Sequence, residues 1–123
     1  MSGGDAAAWL AAGLIPVTAF AGVILRRVLS GAVTLRLRPH FALGYAALAL
    51  AALHGMLAMG AMRVLSSLDA WIALLAFAGL ALQTFVGASL QAPGVYRGPL
   101  RRWHIVTAVS VGALVAAHVA LTI

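Results

Sequence analysis

The sequence predicts an all-α integral membrane protein, an up-down bundle of four transmembrane helices built as two hairpins, and three observations predict it. The 123 residues are 64% hydrophobic and 8% charged, with a mean hydropathy of +1.09, which is not the composition of a water-soluble fold. Four apolar stretches, each near the roughly 20 residues that cross a bilayer as a helix, take up almost the whole chain. The basic residues fall between those stretches rather than inside them.

The chain begins MSGGDAAAW, with an acid and no basic residue ahead of the first apolar stretch. It lacks the charge pattern of a cleaved secretory signal, so the first span, residues 6–25, is expected to be retained. Pro16 lies inside this span and should kink it, as membrane helices tolerate. The linker RRVLSGAVTLRLRP leads to the second span, 40–62, where Pro39 stands in the first turn and its missing N–H breaks no intrahelical bond. RVLSS leads to the third span, 68–90. QAPGVYRGPLRR, rich in Gly and Pro, reads as the loop before the fourth, 103–122. Trp9, Trp71 and Trp103 stand near span ends and fit interfacial anchors.

The net charge of +6 comes from eight arginines and no lysine. Seven of the eight, at positions 26, 27, 36, 38, 97, 101 and 102, belong to the two connections on one side, whereas Arg63, Asp5 and Asp69 belong to the other. The charge is therefore topology rather than a nucleic-acid surface, and the positive-inside rule places both termini outside and the two long loops in the cytoplasm. Arginine-only, alanine-rich usage points to a GC-rich prokaryotic genome and hence a prokaryotic cytoplasmic membrane. The absence of cysteine excludes disulfides, thiolate metal sites and iron–sulfur clusters ligated by these residues.

At an offset of 64 residues, His40 maps to His104, His54 to His118, Arg38 to Arg102 and Asp5 to Asp69. The two hairpins thus read as copies related by an axis along the membrane normal. These four histidines are the only ones in the chain, and each span that carries them holds a pair fourteen residues apart. Fourteen residues fall about 40° short of four helical turns, so both rings leave one face, roughly 21 Å apart along the axis. The second and fourth spans run the same way and lie diagonally in an up-down bundle, which brings His40 level with His104 and His54 level with His118.

Two imidazoles at each of two depths fit few ligands. Zinc wants four ligands, or three and a water, and no Cys or acid completes a set there. A hard cation wants oxygen ligands. Haem iron brings four porphyrin nitrogens and asks the protein for two axial ligands, for which histidine is usual. Gly44, Ala47, Ala51 and Ala58 on the second span, with Ala108, Val111 and Val115 on the fourth, share the histidine stripe and leave room for a flat macrocycle.

Propionates would need cationic partners, and Arg36, Arg38, Arg101 and Arg102 stand just before His40 and His104, although topology explains these arginines equally well. For the outer haem only Arg63 is available, with Trp71 as a candidate donor through its indole N–H. Met56, Met59 and Met62 read as packing. Gln83, Thr84 and Ser89 either link helices or supply donors to a quinone headgroup. Gly13, Gly22, Gly79 and Gly87 permit close approach of a helix or of a porphyrin face.

This pattern, carried by RPH, RRWH and the two fourteen-residue histidine spacings, resembles the dihaem four-helix core of b-type membrane cytochromes. It is similar to the haem-bearing helices of cytochrome b in the quinol-oxidising complexes and to ferric reductase-like transmembrane cytochromes. The resemblance implies one four-helix dihaem domain over residues 1–123, two b haems on His40/His104 and His54/His118, and transmembrane electron transfer. The quinol-site motif and the flavin and nicotinamide domain of those families have no counterpart here. The expected role is therefore a membrane subunit of a larger oxidoreductase, exchanging electrons with another subunit, a soluble carrier or a quinone. The alternative is a non-redox helical anchor whose histidines bridge helices or relay protons.

Overall fold

The computed structural model describes residues 3–30, 37–59 and 67–122. Within them the chain is entirely helical: α1 (Gly3–Val28), α2 (Arg38–Met59), α3 (Leu68–Ser89) and α4 (Arg97–Thr122). Each helix is long and apolar enough to cross a membrane, the shortest spanning about 33 Å at 1.5 Å per residue, so the chain is an integral membrane protein.

Local signals set the helix ends. In α1, Asp5 occupies the first turn and Arg26 and Arg27 the last, each sign facing the complementary pole of the helix dipole. The helix is continuous through Pro16. Pro39 lies in the first turn of α2, as the sequence predicts. Ser67 caps α3 by accepting a hydrogen bond from the Ala70 N–H at 3.2 Å, and Asp69 follows in the first turn. At the far end, amides of Leu90, Gln91 and Ala92 donate to carbonyls of Val86, Ala88 and Ser89, winding the helix down before Gly94 turns the chain at φ 77°.

The span bounds shift from those expected. The first and third helices, at 3–28 and 68–89, differ from 6–25 and 68–90 by a few residues at their ends; the second begins at 38 rather than 40, and residues 60–62 of the expected span lie outside the described residues. The fourth differs in kind. It begins at Arg97 rather than 103, so RGPLRR is its opening helical segment and not loop. Pro99 is the reason: near a helix start its fixed φ suits the helix and its missing N–H costs nothing. Arg36 and Arg63 lie outside the described residues, as does Met62.

The bundle is two tight hairpins. α1 packs chiefly on α2 and α3 chiefly on α4, the hairpins meet along α2 and α3, and α1 and α4 meet thinly. Between those last two lies an apolar groove of about 780 Å³ bordered by Gly13, Pro16, Ala108, Gly112 and Ala116. Among the described residues no Cα of α2 comes within 8 Å of one on α4. They are the diagonal pair.

Midway between the two histidines of each helix, Ala47 on α2 and Val111 on α4 are buried, at 1% and 2% exposure. Gly79 of α3 lets Val111 in: a Cβ there would stand 2.9 Å from Val111 Cγ2. The outward surface is apolar, with Phe20, Phe85 and Val109 at 66%, 70% and 68% exposure, as side chains that face lipid are.

Candidate functional site

The two histidine pairs meet as the spacing predicts. His40 and His104 have ring centroids 6.2 Å apart and planes crossed at 77°. His54 and His118 stand 6.4 Å apart with planes at 55°. The rings span a lane that the α2 and α4 backbones do not.

In His40, His104 and His118 a ring nitrogen is tied to the protein, and the tie differs each time. The His40 Nδ1–H donates to the Thr18 carbonyl oxygen on α1 at 2.8 Å. A carbonyl only accepts, so this fixes the tautomer and leaves Nε2 with its lone pair. His118 Nδ1 donates to Asp69 Oδ1 on α3 at 2.5 Å, with the same consequence for its Nε2. His104 is anchored the other way round: the Gln83 side-chain amide donates to Nε2 at 3.3 Å, and the Thr107 hydroxyl bonds Gln83 Oε1. Its Nδ1 is buried without a hydrogen-bond partner. Because Nε2 accepts, the neutral ring carries its proton on Nδ1, and the orphan is a buried N–H, which is costly to leave unpaired.

Glycines on α1 and α3 make room for the first pair. A Cβ on Gly22 would stand 3.0 Å from His40 Nδ1, and one on Gly87 would stand 3.1 Å from His104 Cε1. These positions receive imidazoles, whereas Gly79 receives Val111 and Gly13 faces open space. Gly44, on the histidine stripe, lies instead against Thr18 at ordinary contact distance.

At the same end a cleft of about 350 Å³ opens beside His40 and His104, with Arg26, Arg97, Arg101 and Gln91 among its walls. Arg101 was expected there. Arg38 and Arg102 are exposed and do not line the cleft. Each sits two residues before its histidine, about 200° around the helix and on the opposite face. Arg97 lies seven residues before His104 and Arg101 three, both on the histidine's side. Arg97 and Arg26 are the basic residues that sequence reasoning set aside as topology.

Among the remaining candidates, Gln83 links α3 to α4, while Thr84 and Ser89 bond carbonyls of their own helix, Leu80 and Phe85, both at 2.9 Å. Met56, Trp71 and Trp103 face outward, more than half exposed. No group of three or more His, Cys, Asp or Glu able to hold a metal ion occurs among the described residues. A site built from protein ligands alone is therefore not what they offer; pairs are. No family model matches the chain, and no curated protein or solved structure is detectably similar to it.

Proposed function

We propose that this chain is a small dihaem b-type cytochrome that carries electrons across a prokaryotic cytoplasmic membrane, as the membrane subunit of a larger oxidoreductase. One observation carries the reading. Two imidazoles bonded to opposite sides of a single metal ion at about 2.0–2.1 Å have ring centroids roughly 6.3–6.5 Å apart, and the two pairs stand at 6.2 and 6.4 Å. The anchored Nδ1 atoms of His40 and His118 support it further, since an imidazole that donates one ring N–H to the protein keeps the lone pair of its other nitrogen for a metal.

Haem, when bound, supplies a one-electron ferric–ferrous couple. The protein does the rest. His40 and His104 would hold one haem, His54 and His118 the other. Arg26, Arg97 and Arg101, which line the cleft beside the first pair, would pair with propionates there, and the positive-inside rule assigns that end to the cytoplasm with both termini outside. The apolar wall of the bundle keeps water from the couple and sets its dielectric. Electrons would enter and leave through another subunit, a soluble carrier or a quinone.

The test is the reduced-minus-oxidised spectrum of the purified chain with a pyridine haemochrome stoichiometry. Two haems per chain are expected, and each single His→Ala change should remove one. The competing reading, histidines that merely bridge helices, has the Gln83 amide on His104 in its favour. It predicts a colourless protein that tolerates His54→Gln.

A further inference from the structure

The ties on His40, His104 and His118 are chemically unequal. His40 is held by a neutral carbonyl and His104 by a neutral amide, but His118 is held by a carboxylate. The bond crosses from the first turn of α3 to α4, and both side chains are partly buried, at 35% and 23% exposure. The α3 cap does not need this carboxylate, because Ser67 already fills the capping role.

We propose that Asp69 is a positioning residue that holds His118 through Nδ1 and biases the iron on the ring's other nitrogen toward its ferric state. A carboxylate accepting Nδ1–H fixes the ring orientation and raises the basicity of Nε2, and a more basic ligand favours the more highly charged metal. The carboxylate adds its own negative charge to the same effect, in a medium where charges are weakly screened. At the opposite end of the bundle the neighbours are arginines, so the two histidine levels differ in the sign of their surroundings.

The inference rests on the haem reading, and the experiment separates the two. The full chain and its Asp69→Asn and Asp69→Glu variants are compared in detergent by potentiometric titration and by electron paramagnetic resonance of the ferric protein. Asp69→Asn is expected to weaken the preference for ferric iron about tenfold at one haem, which for a one-electron couple is an upward shift of about 59 mV, with the other haem unmoved. The resonance of that one haem should change with it, and Asp69→Glu should restore both.

If Asp69→Asn loses one haem outright, retention of that haem in Asp69→Glu supports the inference, and its loss in both variants overturns it. Two haems with unaltered potentials in Asp69→Asn also overturn it and leave the haem reading standing. A colourless parent chain overturns both.

Discussion

An imidazole in a membrane is only as useful as whatever holds its second nitrogen, and the three ties on His40, His104 and His118 differ in how visible they are in the sequence. The histidines themselves are plain, because a fourteen-residue spacing, twice, in spans with few other polar groups has few structural explanations. Gln83 is visible as a polar residue in an apolar span, and it does link helices, to His104 and Thr107. The tie on His40 carries no residue signature, since any residue at position 18 presents a carbonyl. Asp69 shows only as one member of the 64-residue repeat. Gln83→Leu should release the His104 Nε2 lone pair that the amide occupies and, on the haem reading, raise haem retention at that pair, because a neutral imidazole has one lone pair to give. Thr84→Val, which alters a hydroxyl bonded within its own helix, serves as the control. Haem content per chain measures both, and equal retention in the two variants would show that the amide does not compete for the ring.

At the scale of elements, four helices follow from hydropathy, while their ends follow from details that hydropathy does not see. The fourth span read as starting at 103 because Gly98 and Pro99 look like loop, and that misreading hid Arg97, which only a helix reaching back two turns places beneath His104. The close approach of α3 to α4 has the opposite character: Gly79 was flagged for it, and Val111 is what fills it. Gly79→Ala should overpack this layer at a cost of about 1–3 kcal/mol, because a β-branched, fully enclosed neighbour has little room to yield. Adding Val111→Ala should recover part of that loss, so the pair is expected to be non-additive. Unfolding of the three variants in detergent measures the coupling, and strict additivity would mean that the two side chains do not compete for the same space.

For the molecule as a whole, orientation is the property that the arrangement of charge addresses most directly. Arg26, Arg27, Arg38, Arg97, Arg101 and Arg102 gather at one end of the described bundle, and Asp5 and Asp69 at the other. The chain has no cysteine, so single cysteines report without background. Gln91→Cys, between α3 and α4, should be protected from a membrane-impermeant thiol reagent in intact cells, and Ser67→Cys, at the start of α3, should react. The reverse pattern would invert the topology. The bundle's assembly was legible only in outline: hairpin connectivity follows from short linkers, whereas the thin contact between α1 and α4 depends on side-chain shape along two spans of similar composition.

The diagonal placement of α2 and α4 has one more consequence. Every facing couple draws one ring from each half of the polypeptide, and the halves touch each other far less than they touch themselves. On the proposed reading, a group held between the rings would therefore also tie the halves together, and its loading would be coupled to their assembly.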